Sequence, residues 1–283
     1  MSATIKQLRE RFYDGALSVK IVLSVPHDKP LESQVYYIQV PRVAYLHTYV
    51  ETILRYFGRY RDEDDFETWF EFEGVPVKWN WPAGLAYDLL TGLDPTRPNT
   101  AQKPWMLTLQ ADQKEEYPKS LLLRIPSKQT LRDYWMHQLK EACVSRDGNA
   151  NRVMNLSNAN AQKMWDSLVL NDFKTFWAVM TTILPRERDA NTIRSLPVKV
   201  YLPMSNQCIA AIVRPENEDG TLCTVGQALH AHLPTFFPSE TKAVVARVVL
   251  HGVEVPLEAV LANLYYMAMY PDGFLHISLV MIN

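Results

Sequence analysis

The chain has 283 residues, 47% hydrophobic and 21% charged, which is enough apolar material for two folded domains and far from a disordered composition. Its 29 basic and 31 acidic residues leave a formal net charge of −2, which gives no electrostatic reason to expect nucleic acid, whose binding needs a concentrated basic surface, so the expected partners are proteins. Three cysteines without C-x-x-C spacing, a charged start and the lack of any apolar run near the ~20 residues of a membrane span predict an intracellular, soluble protein with reduced thiols.

Ile5, Leu8 and Phe12 predict a short N-terminal helix ending near Gly15. Leu17 to Val25 and Val35 to Val40, each rich in β-branched residues and each stopped by a proline, predict an antiparallel strand pair. A long helix follows, its buried side marked by Tyr45, Tyr49, Ile53, Leu54 and Phe57, and the run Arg61 to Glu67 reads as a solvated acidic loop. Trp69 to Trp79 alternates on both sides of Gly74 as two short strands do, Pro82 opens a helix over Ala83 to Leu93, and Trp105 to Leu109 and Leu121 to Ile125 predict two more strands. Leu131, Trp135, Leu139 and Cys143 then recur every four residues, the stripe of an amphipathic helix with Ser127 as N-cap and Gly148 past its end. Met164, Trp165 and Leu168, then Phe173, Phe176, Trp177, Met180 and Leu184, predict two further helices.

Beyond a linker at 186–196 the strand signal returns at Pro197, and the second half repeats the first. Val19-Lys20-Ile21 answers Val198-Lys199-Val200, and Gly74-Val75-Pro76-Val77 answers Gly252-Val253-Glu254-Val255. Strand pair, helix, two short strands, short helix and closing strand is the β-grasp order of ubiquitin. The predicted architecture is therefore α+β: residues 1–125 hold the N-terminal helix and a first ubiquitin-like domain, 126–185 a helical bundle, and 197–283 a second ubiquitin-like domain.

Five segments carry a resemblance to a known family: P-R-V-A-Y-L (Pro41 to Leu46), W-F-E-F-E-G-V-P-V-K-W (Trp69 to Trp79), L-K-E-A (Leu139 to Ala142), F-K-T-F-W (Phe173 to Trp177) and Y-P-D-G-F-L-H-I-S (Tyr270 to Ser278). On these the chain resembles the autophagy protein 5 family along essentially its whole length; the loop Gly92 to Lys103 and the stretch Asn149 to Asn160 have no match in that pattern. The resemblance implies that Lys140 accepts an isopeptide bond from the C-terminal glycine of the ubiquitin-like autophagy protein 12, and that the conjugate binds the N-terminal helix of autophagy protein 16. It further implies that this complex works with the conjugating enzymes to promote transfer of autophagy protein 8 to phosphatidylethanolamine, in the cytoplasm and peripherally at preautophagosomal membranes.

The residues themselves agree with an acceptor. Lys140 lies one residue from the apolar stripe, about 100° around the helix, where packing holds its stem and water its ammonium. The chain ends in Met-Ile-Asn and not in two glycines, so neither half is expected to be activated as a modifier. A lysine amine is mostly protonated at pH 7, so activation is expected from the conjugating enzyme. Lys128 and Lys163 are the comparison lysines. No catalytic motif, cofactor or metal site is expected: Cys143 lies on the apolar stripe, His230 and His232 point different ways on a helix, and His251 and His276 read as structural strand residues, a shared site remaining open. Trp79, Trp81, Tyr87, Trp135 and Trp177 are candidates for lining a groove that takes a partner helix, with plain core as the alternative. The competing reading of the whole chain is an adaptor that bridges proteins through its two β-grasp domains without being modified.

Overall fold

The computed structural model describes residues 3–24, 35–58, 67–92, 104–111, 116–185, 193–203, 205 and 208–282. The predicted acidic loop (all but Glu67), the loop from 93 to 103 and most of the 186–196 linker lie outside them. Two compact units are present, Gly15–Leu131 and Met1–Asp14 together with Arg132–Asn283.

In the first unit, β1 (Ala16–Leu23), β2 (Val35–Pro41), β3 (Trp69–Phe72), β4 (Val75–Pro76) and β5 (Trp105–Gln110) form one sheet in the order β2-β1-β5-β3-β4. β1 runs parallel to β5 and antiparallel to β2. Alternation in β1 buries Leu17, Val19, Ile21 and Leu23 on one face, as a half-covered strand requires. The predicted long helix is a 3-10 turn at Leu46–Tyr49 followed by α2 (Val50–Tyr56), and α3 (Ala83–Thr91) ends at Gly92 in the left-handed region, φ +64°.

Leu121 to Ile125 is not a strand. Its carbonyls are taken by side chains instead of a ladder: His47 Nε2 donates to Ile125 at 2.8 Å, and Trp79 Nε1 and the Tyr117 hydroxyl donate to Leu123 at 3.2 and 2.8 Å.

In the second unit β6 (Leu196–Tyr201), β7 (Cys208–Val213), β8 (Ala246–Leu250), β9 (Val253–Glu254) and β10 (Leu275–Met281) repeat the same order as β7-β6-β10-β8-β9, with β6 and β10 parallel. The accompanying helices are α8 (Val225–His232), opened by a capping box of Thr224 and Gln227, and α9 (Leu261–Ala268). The helical region comprises α4 (Lys128–Asp147), the short α5 (Asn151–Met154) inside the stretch read as a loop, α6 (Asn158–Val169) and α7 (Phe173–Ile183). Ser157 and Asp172 cap α6 and α7 by accepting the backbone N–H groups of Asn160 and Thr175.

The first helix, α1 (Ala3–Asp14), packs within this second unit, although the sequence places it in the first domain. Arg9 Nε donates to the Tyr266 carbonyl while its guanidinium lies 4.6 Å over the Trp177 ring; Phe12 stacks on His251, and Tyr13 meets Phe173 and Phe176. No helix among the described residues is long and apolar enough to cross a membrane.

Candidate functional site

The site is built on α4 and the sheet beneath it. The helix starts where the Ser127 hydroxyl accepts the N–H of Thr130. Leu131, Trp135, Leu139 and Cys143 are all buried as their spacing predicts, joined by Ala142 and Arg146. Lys140 leaves the helix at the margin of this stripe and is half-buried. Among the described residues its amine makes no hydrogen bond or ion pair. Lys128, by contrast, is paired with Glu51 at 2.7 Å, a solvent-exposed bridge that contributes little. Lys163 is exposed on α6.

The helix that carries Lys140 is firmly seated. Residues paired across strands share a sheet face, so Lys199 and Tyr201 of β6 lie beside His276 and Ser278 of β10. All six residues of β6 are buried, which means both faces of that strand are covered. Lys199 Nζ donates to Gln138 Oε1 at 2.6 Å and reaches Glu141 Oε2 at 3.3 Å, both on α4, and sits 3.8 Å from the centre of the Phe274 ring. Gly273, at φ +85°, brings its turn so near α4 that a Cβ there would lie 3.0 Å from Ala142 Cβ and 3.3 Å from Leu139 Cδ1.

The end of the helix is tied as well. Arg146 clasps Asp147 through Nε and Nη2 at 2.8 and 2.7 Å and donates to the Ile183 carbonyl; Ser195 Oγ donates to the Ser145 carbonyl at 2.6 Å. Burial alone would raise the Asp147 carboxyl, but the Arg146 hydrogen bonds outweigh it and hold the carboxyl below its usual range.

Next to this seat runs a buried polar chain. His276 Nε2 donates to Asp272 Oδ2 at 2.8 Å, and His276 Nδ1 shares a 2.8 Å hydrogen bond with the Tyr201 hydroxyl. Burial lifts Tyr201 well above an ordinary tyrosine, so it keeps its proton, and at 2% exposure it meets no substrate. The arrangement resembles a charge relay in its order of groups but organises a turn. His251 donates from Nε2 to the Ala268 carbonyl and stacks on Tyr270 at 4.0 Å, while His276 meets the edge of the same ring; the two histidines thus share Tyr270. Among the described residues no group of three or more His, Cys, Asp or Glu is placed to hold a metal ion. His230 bonds the Phe237 carbonyl and His232 is exposed. Cys143 is buried, its thiol donating to Asp147 at 3.4 Å, and burial pushes it up from an ordinary cysteine, the state of a structural thiol.

The aromatic groove candidates divide. Trp79 (2% exposed), Trp135 (0%) and Trp177 (8%) are packed core, the alternative to a groove lining: Trp79 lies edge-on to His47 and Trp135 against Trp165. Trp81, over which the Lys78 ammonium lies at 4.4 Å, and Tyr87, edge-on to Trp105, are half-buried. Trp79, Trp81 and Tyr87 belong to the first unit, Trp135 and Trp177 to the second.

Lys199, Gly273 and Asp272 are the site residues that the sequence reading missed as such. A lysine in the middle of an apolar strand was the available signal for the first.

Three family models match the chain: the UblA domain of autophagy protein ATG5 over residues 12–111, its alpha-helical bundle region over 128–186, and its UblB domain over 195–279. Autophagy protein 5 of Yarrowia lipolytica is 82% identical over 200 residues, 71% of this chain and 78% of the relative. That of Pichia angusta is 34% identical over 284 residues, covering 98% and 97% of the two chains. The crystal structure of Kluyveromyces marxianus Atg5 superposes with a TM-score of 0.78 at 28% identity, covering 96% of this chain and 99% of that one. With two ubiquitin-like domains around a helical bundle, and relatives matched over nearly their full length, the chain belongs to the autophagy protein 5 family.

Proposed function

We propose that this chain is a noncatalytic conjugation scaffold of autophagy, modified on Lys140 by the ubiquitin-like autophagy protein 12. The conjugate binds the N-terminal helix of autophagy protein 16 and acts as a ligase-like factor for lipidation of autophagy protein 8 with phosphatidylethanolamine, in the cytoplasm and peripherally at preautophagosomal membranes. The carrying observation is Lys140: a half-exposed amine, unengaged among the described residues, on a helix otherwise fixed by packing and hydrogen bonds. In the reaction the neutral amine attacks the thioester carbonyl of the modifier on its conjugating enzyme. The C–N bond forms, the C–S bond breaks, the nitrogen gives up one proton, and the enzyme's cysteine leaves as the thiol. This chain supplies no acid or base; it holds the nucleophile in place.

Intact-mass measurement of the protein recovered from cells with its native partners tests this. An adduct of modifier size is expected on the wild type and on Lys128→Arg, and not on Lys140→Arg. An adduct that persists without Lys140 overturns the acceptor assignment, and no adduct at all leaves the unmodified adaptor as the better reading.

A further inference from the structure

We propose that Lys199 is a positioning residue for the acceptor: it fixes the turn of α4 that carries Lys140 on the sheet of the second domain. The inference rests on the acceptor reading of Lys140 and extends it to a residue on another element.

Lys199 lies 61 residues from Gln138 and 58 from Glu141 in sequence, and it holds both. These two residues bracket Lys140, two positions before it and one after. The Lys199 side chain is only 8% exposed, an environment in which an ammonium is costly unless its donors are met. Here they are met by an amide oxygen, a carboxylate and the face of Phe274, with the Asp272 carboxylate contributing to the local field. An apolar residue would fill the same space without that cost. What the lysine adds is direction: apolar packing of Leu139 and Ala142 on Gly273 permits small slides and rotations of the helix, whereas two hydrogen bonds from one nitrogen define a single register. Lys140 projects from the turn so defined, and attack on a thioester is sensitive to placement: a misplacement of about 1 Å costs on the order of 100-fold in rate.

The test is single-turnover transfer of the modifier from its thioester-charged conjugating enzyme to the full chain, with the concentration of charged enzyme varied. Lys199→Met keeps the unbranched stem and removes the donors. It is expected to lower the maximal rate by about 10- to 100-fold while the half-saturating concentration stays within about twofold, because the Lys199 side chain is only 8% exposed and its replacement leaves the surface of the chain nearly unchanged. Lys199→Arg, which retains donors, is expected to recover the rate to within about fivefold. Loss of fold alone would show in the melting transition of Lys199→Met, which is read beside the rate. If Lys199→Met is not folded by its melting transition, Gln138→Leu removes the shorter bond from the helix side and is judged by the same measurement. Transfer at the wild-type maximal rate in the folded variant overturns the proposal while leaving the acceptor reading intact, provided Lys140→Arg abolishes the adduct. An adduct that survives Lys140→Arg overturns both.

Discussion

Asp272 Oδ2 and His276 Nε2 lie 2.8 Å apart with each residue 3% exposed, and the other carboxylate oxygen accepts the N–H of Phe274 at 3.1 Å. One buried carboxylate therefore shapes the turn whose glycine seats α4. Asp272→Asn removes the charge but not the volume, and is expected to lower stability by about 1.5–3 kcal/mol at neutral pH, read from urea denaturation. Burial pushes the Asp272 carboxyl up, yet His276 outweighs it and holds the folded carboxyl below its ordinary value of 3.8. A depressed carboxyl stabilises above its unfolded pKa and loses that contribution as pH falls through the folded one. The gap between wild type and variant should therefore close as pH falls below 3.8. A gap that is independent of pH refutes the charge as its source.

Gly226 and Glu240 give a sharper case. A Cβ on Gly226, in the first turn of α8, would lie 1.7 Å from the Glu240 carbonyl oxygen and 3.1 Å from Leu257 Cβ, so backbone must move. Gly226→Ala is expected to cost at least about 3 kcal/mol in thermal or urea unfolding. Gly74 offers the opposite situation, φ +80° with nothing within 4 Å, and Gly74→Ala should cost only about 1 kcal/mol of backbone strain. Equal losses would mean that crowding is not what matters at Gly226.

Arg9 fixes α1 from within the second unit. It is 5% exposed, and burial brings its guanidinium down to about 10 from the usual value. Arg9→Leu leaves the Tyr266 carbonyl without this donor, and a loss of about 1–3 kcal/mol is expected. Hydrogen exchange should show the loss first as faster exchange of the Ala3–Asp14 amides. Unchanged protection there would show that α1 is held by its other packing contacts, Phe12 and Tyr13 among them.

The repeat was legible because strand and turn landmarks depend on local chemistry, and those landmarks occupy equivalent places in both sheets. Val19-Lys20-Ile21 lies in β1, Val198-Lys199-Val200 in β6, and each strand runs parallel to the last strand of its sheet. What the pattern could not reveal is that the two lysines live differently. Lys20 is half-buried beside Tyr37 and Met106, which are 64% and 56% exposed, whereas Lys199 lies under α4. Their immediate neighbours in sequence are alike; only the position of a helix some 60 residues earlier separates them. The same long-range dependence hid the placement of α1, whose partners Tyr266 and His251 are far along the chain, and the side-chain bonds that keep Leu121 to Ile125 out of a ladder. The margin position of Lys140 was legible because it follows from spacing on one helix.

Cys143 provides the test that separates a scaffold from a thioester enzyme. The thiol is 1% exposed and donates to Asp147, itself held by Arg146; burial raises its pKa, with Arg146 opposing in part. A thiol in that state is mostly un-ionised at pH 7 and inaccessible to a modifier's C-terminus, so it gives neither nucleophile nor leaving group of use. Cys143→Ala is therefore expected to cost about 1 kcal/mol of stability through the small space left behind, and to leave both adduct formation on Lys140 and downstream lipid conjugation unchanged. The adduct should also survive thiol reduction, as an isopeptide does and a thioester does not. A Cys143→Ala variant that melts like the wild type yet forms no conjugate would place the chemistry on the sulfur and remove the basis for a noncatalytic scaffold.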